Sequence, residues 1–202
     1  MAHFIVAGLF VQNVMIHLIG PPGVGKYTIG SLVAERIGAR LVDNHSVNNV
    51  IFNLVAPDGI RPLPSAIWPR VAQVRAAVLD TMIHVSPPGL SFVLTNYIRG
   101  EDPGEEAAFL QVVDVAAARG ATFVPVLLSC ETPVLVQRVV SEDRARRMKL
   151  IDPVRTASLN DDVPAFRTDH PNTLELDVTH VSPDEAASRI IEWTQACHAK
   201  AS

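Results

Sequence analysis

Apolar positions follow two rhythms along this chain of 202 residues. Val14-Met15-Ile16-His17-Leu18-Ile19 is almost continuously apolar, the pattern of a strand buried on both faces. From Lys26 the rhythm changes: Ile29, Leu32, Val33 and Ile37 recur at helical spacing, and Gly38 stops the run. A short strand follows over Arg40-Leu41-Val42-Asp43. Val47, Val50, Ile51 and Leu54 predict a helix, and then Pro57, Gly59, Pro62, Pro64 and Pro69 punctuate a loop. Val71, Val74, Val78 and Met82 return to helical spacing, ended by Pro87-Pro88-Gly89. Ser91–Thr95 reads as a buried strand, Gly104–Arg119 as a helix closed by Gly120, and Thr122–Leu128 as another strand. Pro125 is awkward in that strand because it donates no ladder bond. Residues 133–140 read as helix, Asp152-Pro153 begins a short one, and Leu174, Leu176 and Val178 alternate as a last strand. Ser182-Pro183-Asp184-Glu185 carries a cap serine, a first-turn proline and a capping-box glutamate. Behind it Ala187, Ile190, Ile191 and Thr194 face inward. Strand alternating with helix predicts an α/β fold, a parallel sheet covered on both faces. The chain shows no internal repeat and no low-complexity segment.

Between the first strand and the first helix lies Gly20-Pro21-Pro22-Gly23-Val24-Gly25-Lys26-Tyr27-Thr28. Strand, glycine loop and helix is the setting in which such a loop cradles phosphate. Glycines let backbone N–H groups turn inward, the helix start adds a positive end, and Lys26 adds a mobile charge. Gly20, Pro22, Gly23, Val24, Gly25, Lys26, Tyr27 and Thr28 are therefore candidate nucleotide-binding residues. One position departs from the pattern: Tyr27 stands where a Ser or Thr hydroxyl usually reaches Mg²⁺. A phenol does not fit that place. Either Thr28 or water completes the magnesium shell, or the metal is held more loosely.

The formal net charge of −4 provides no global basic field for nucleic acid. Cys130 and Cys197, far apart, argue for a reducing compartment and against a disulfide scaffold or zinc site, and so for a cytoplasmic protein. No apolar run is long enough to span a bilayer. Phe4–Val11 is apolar but lacks a basic lead-in, so residues 1–13 are expected to be an N-terminal extension and 14–202 a single domain. The chain is expected to be a monomer or homodimer.

The segment Gly20–Thr28 resembles the loop of adenylate-kinase-type proteins, and the order of elements over residues 14–196 resembles the small P-loop kinases: adenylate, shikimate and gluconate kinases and antibiotic-phosphorylating relatives. The resemblance implies a three-layer fold with a five-stranded parallel sheet, a helical acceptor insert (46–89) and a mobile lid (141–152) over ATP. Lys26 matches the lysine on the β- and γ-phosphates. Asp43 matches an acidic residue that binds the acceptor hydroxyl or acts as base. Asn96 and Arg99 fall in the stretch that meets substrate, and His45 stands two residues beyond Asp43. Arg138, Arg144 and Arg147 fit the helix and lid, with Arg144 or Arg147 offsetting charge on the moving phosphoryl group. Thr179 lies in the turn Val178–Pro183, which fits the loop bordering adenine. Thr95 stands where the family has an Asp near magnesium, so Asp43 gains importance or metal binding weakens.

The expectation is an ATP- and Mg²⁺-dependent phosphotransferase acting on a hydroxyl of a small molecule, with Thr28 at the metal. The apolar insert, with Asn44, Asn48, Asn49 and Asn53 as polar punctuation, favours an uncharged sugar, nucleoside or antibiotic-like acceptor. Arg61, Arg70 and Arg75 fit no motif for a second phosphate, which weighs against a nucleoside monophosphate kinase. A nucleotide-gated binding module is the other alternative, supported by Tyr27 and Thr95. A GTPase switch lacks its Asn-Lys-x-Asp. His17, His84, His170 and His180 are expected to be structural or surface residues, Trp68 and Trp193 core or rim, and Cys130 a buried small hydrophobe.

Overall fold

The computed structural model describes residues 12–55, 61, 63–100, 103–140 and 149–201. Five strands, β1 (Val14–Ile19), β2 (Arg40–Asp43), β3 (Phe92–Asn96), β4 (Thr122–Ser129) and β5 (Leu174–Asp177), form one sheet in the order β2-β3-β1-β4-β5. Every pairing is parallel. Around it lie helices α1 (Lys26–Ile37), α2 (Asn44–Phe52), α3 (Trp68–His84), α4 (Pro103–Ala118), α5 (Thr132–Val139), α6 (Pro153–Asp161) and α7 (Pro183–Ala201).

The unbroken apolar run of β1 has the cause read from its pattern: all six residues are buried. Val14, Ile16 and Leu18 enter the core under α1 and α7, with Val33, Ile37, Ala186 and Ile190. Met15 and Ile19 point to the opposite face, where Leu79 and Met82 of α3 and Phe109 and Val112 of α4 cover the sheet. The two-residue alternation of a strand thus feeds two cores, one per face. Gly38 ends α1 in the left-handed conformation, its N–H reaching toward the last turn (φ 70°). Asp152 caps α6 by accepting from the N–H groups of Val154 (2.9 Å) and Arg155 (3.2 Å), and Ser182 Oγ accepts from Glu185 N (3.2 Å) at the start of α7.

Two boundaries differ from the sequence reading. α2 starts directly after Asp43, and α3 starts at Trp68 with Pro69 in its first turn. Pro69 therefore opens a helix instead of punctuating a loop, because a first-turn N–H has no intrahelical acceptor to lose. Pro57, Gly59 and Pro62, residues 1–11 of the N-terminal extension and residues 141–148 lie outside the described residues. Pro125 is accommodated inside β4. Phe123 O accepts from Asn172 Nδ2 on the β5 side (2.9 Å), so the absent N–H of Pro125 faces that same side, just before β5 pairing begins at Val126. Cys130 and Cys197 are buried and unbridged. No described helix is long and apolar enough to cross a membrane.

His17 is the polar exception in β1. It is fully buried, stacks on Phe109 (centroids 5.9 Å apart, 11° between planes) and donates from Nε2 to Asn96 Oδ1 (3.0 Å). Burial lowers its pKa from 6.5 to about 4, against the Asn96 hydrogen bond and with help from the Arg75 charge. The imidazole is neutral in the folded chain and protonates more readily once unfolded. Its contribution is present above pH 6.5 and is lost as pH falls toward 4. Denaturant titrations over that range should show unfolding free energy declining by up to about 1.4 kcal/mol per pH unit from this site, and a His17→Gln chain should show a shallower decline. Equal slopes in the two chains would remove His17 as the cause.

Candidate phosphate and acceptor site

The carboxyl ends of β1, β2 and β3 open on one side of the sheet, where a crevice forms in open α/β folds. The loop after β1 turns on two glycines with positive φ, Gly23 (91°) and Gly25 (102°). A Cβ at Gly23 would also lie 2.8 Å from Val139 Cγ1. Gly25 is the N-cap of α1 and no side chain caps that helix, nor does an acidic residue stand in its first turn. The first N–H groups of α1 therefore lack intrahelical acceptors and border the cavity at Gly25–Thr28, an arrangement suited to an anion. Lys26 Nζ donates to the carbonyls of Gly20 and of Pro21 (2.9 Å), holding the loop on itself.

A single cavity of about 1480 Å³ joins this loop to the acceptor side. Pro22 through Thr28 line it at one end, Asp43, Asn44, His45, Asn48 and Asn96 further in, and Arg138, Val178, Val181 and Pro183 along another wall. Gly20 and Thr179, both expected at the nucleotide, are not among its lining. Thr179 is buried in its turn, its hydroxyl accepting from Glu131 N (3.0 Å) and its N–H donating to Asp177 (2.7 Å). Arg138 braces the same turn by donating to the carbonyls of Val178 (3.2 Å) and Thr179 (3.3 Å). Arg144 and Arg147 lie outside the described residues.

Asp43 is 6% exposed. Thr95, its direct register partner on β3, donates its hydroxyl to Asp43 Oδ1 (2.8 Å) and accepts from Asn44 N (3.1 Å). Lys149, itself only 8% exposed, places Nζ 3.6 Å from Asp43 Oδ2 and 4.7 Å from the centre of the Tyr27 ring. One ammonium thus stands between Tyr27 of the glycine loop and the Asp43 carboxylate. Lys149 falls within the expected lid (141–152), but no spacing rule singled it out.

Arg75 is a second residue the sequence left unplaced. From α3 it donates to Asn44 Oδ1 (3.0 Å), which also receives Asn96 Nδ2 (3.5 Å). Arg99 lines the cavity but is held by Glu105, Nε to Oε1 at 2.6 Å, with its N–H on the other carboxylate oxygen. Asn48, 5% exposed, lines the cavity with an Oδ1 that has no hydrogen-bond donor among the described residues. In the apolar insert Phe52, Ile67 and Val71 form a small core of their own, with Ile51 and Leu63 against it, and Phe52, Leu63 and Val71 also line the cavity. Trp68 meets Phe52 edge-on at the cavity rim (6.1 Å).

No family model and no curated protein matches the chain. Solved structures do. A gluconokinase from Sinorhizobium meliloti 1021 aligns over 93% of each chain with TM-score 0.56 and 17% identity. A sugar kinase from Janibacter sp. HTCC2649 covers 93% of this chain and 97% of its own, with TM-score 0.60 and 18% identity. The APS kinase of Mycobacterium tuberculosis covers 91% and 98%, with TM-score 0.53 and 20% identity. The chain has the small P-loop kinase fold. At such identities the likeness concerns the arrangement of the chain, and the chemistry must be argued from the residues.

Within this P-loop kinase fold, the loop fits a phosphate and the metal-binding groups fit poorly. Position 27 is a phenol, Thr28 is exposed, and each oxygen of Asp43 already faces a partner. Among the described residues no group of three or more His, Cys, Asp or Glu side chains is placed to hold a metal ion. The nearly isosteric change Thr95→Val leaves both Asp43 Oδ1 and Asn44 N short of a partner. It should cost about 1–3 kcal/mol in thermal or denaturant unfolding, and an unchanged midpoint would show that the hydroxyl does not hold Asp43.

Proposed function

We propose that the chain is an ATP-dependent phosphotransferase that moves the γ-phosphoryl group to a hydroxyl of a small molecule. The observation that carries this reading is the continuity of one cavity from the uncapped start of α1 and Lys26 to the carboxylate of Asp43. The related fold of an APS kinase solved with AMPPNP and APS supports nucleotide use at this loop. The gluconokinase and sugar kinase support a small acceptor.

The loop N–H groups would hold the phosphate tail and Lys26 would turn from its loop carbonyls to the β- and γ-phosphates. Asp43 would orient the acceptor hydroxyl. As the acceptor oxygen bonds to the γ-phosphorus, the bond to the β–γ bridging oxygen breaks, the hydroxyl proton passes to Asp43, and ADP leaves. Asn48 Oδ1, buried on the acceptor side, suits a second hydroxyl of the acceptor as donor. Its place supports a polyhydroxylated molecule such as a sugar, nucleoside or glycosylated antibiotic. His45 and Asn96 line the same region, while Arg99 reaches it only by giving up Glu105. The two buried thiols support a reducing, cytoplasmic setting.

An ADP-release screen over sugars, nucleosides and aminoglycoside- or macrolide-like acceptors tests the activity. With the responsive acceptor, Lys26→Ala should lower turnover by about a thousandfold or more, comparable to loss of one preorganised donor at ~3–4 kcal/mol, with circular dichroism unchanged. Asp43→Asn should lower turnover while leaving ATP affinity in place. Acceptor-independent ADP production, or none with bound ATP, would favour a nucleotide-gated module instead.

A further inference from the structure

We propose that the Lys149 ammonium takes the place of the divalent metal on the bound polyphosphate, so that this chain binds its nucleotide without Mg²⁺. The inference rests on the nucleotide reading of the phosphate loop given above.

Many phosphate loops, though not the adenylate-kinase type that Gly20–Thr28 resembles and that has Gly before Thr, pair the loop lysine with a metal ion held by a Ser or Thr hydroxyl directly after that lysine and by a carboxylate at a nearby strand end. Here both holding positions are altered together. Tyr27 replaces the hydroxyl, and the β3 strand end carries Thr95, whose hydroxyl donates to Asp43. Between the Tyr27 ring and Asp43 stands Lys149 Nζ, 4.7 Å from the ring centre and 3.6 Å from Oδ2. An aromatic face and a carboxylate both favour a cation, and neither can serve an anion.

Burial supports the same conclusion. Lys149 is 8% exposed, yet it lines the cavity that Gly25–Thr28 border. An ammonium leaves water only where negative charge accompanies it, and Asp43 Oδ2 lies 3.6 Å away. A polyphosphate entering beside the start of α1 supplies further negative charge where the ammonium already lies. The N–H groups, Lys26 and Lys149 then share the charge that a loop lysine and a metal share elsewhere. A phenol at position 27 fits this arrangement because its ring carries the ammonium, a task a short hydroxyl would not perform.

The test is isothermal titration of the full chain with ATP, once in excess Mg²⁺ and once in excess EDTA. The wild-type dissociation constants should agree within about threefold, and Lys149→Met should bind ATP at least about tenfold more weakly in EDTA, with Lys149→Arg in between. Wild-type binding that weakens by more than about tenfold in EDTA overturns the proposal, as does a Lys149→Met chain that binds normally without metal. The wild-type comparison involves no substitution, so it decides the matter even where Lys149→Met does not fold. ATP binding seen only with Mg²⁺ would refute this inference and leave the kinase reading intact, whereas no binding under either condition would refute both.

Discussion

The position of β1 at the centre of the sheet constrains everything that follows. Its neighbours β3 and β4 run parallel to it, so no hairpin can follow Ile19 and the chain has to climb off the sheet and begin α1 over it. A turn that tight passes through positive φ at Gly23 and Gly25, and a side chain at Gly23 would strike Val139. The same turn leaves the first amides of α1 without side-chain caps. A concavity suited to an anion is thus a by-product of packing, held rigid by a strand that is buried on both faces.

The second element of the site is assembled by pairing across strands. Asp43 and Thr95 are register partners at the ends of β2 and β3, and Lys149 Nζ lies 3.6 Å from Asp43 Oδ2. A buried carboxylate requires such company, since desolvation otherwise drives it neutral. The Thr95 hydroxyl fixes one oxygen and the direction of α2 at once, because it also accepts the first amide of that helix. Asp43 is therefore a positioned group, in contrast with Arg99, whose guanidinium and N–H both serve Glu105.

Rhythm made much of this legible. The unbroken apolar run of β1 and the helical spacing of α1 and α3 mark buried positions directly, and Gly38, Asp152 and Ser182 act where their chemistry suggests. The phosphate loop is legible for the same reason, being local in sequence. Contacts that depend on strand order are not. Nothing near Asp43 in the sequence points to Thr95 or Lys149, and nothing around Arg75 shows that α3 will set it against Asn44. The apolar insert carries two roles that its sequence does not separate: Phe52, Ile67 and Val71 pack into a small core, and Phe52 and Val71 also line the cavity. Pro69 misled because the same residue that breaks a helix interior is tolerated in its first turn.

Charge balance ties the departures from the familiar loop into one arrangement. A second carboxylate in place of Thr95 would stand beside Asp43 as its register partner, and two such groups repel unless a divalent ion lies between them. With a hydroxyl at 95, one negative charge remains, and one ammonium matches it. The ammonium in turn needs a surface that tolerates its buried stem and favours its charge, which the Tyr27 ring supplies. Changing any one of the three residues would disturb the other two: a carboxylate at 95 would compete for Lys149, a serine at 27 would remove its support, and a neutral residue at 149 would leave Asp43 buried with the Thr95 hydroxyl but without this ammonium.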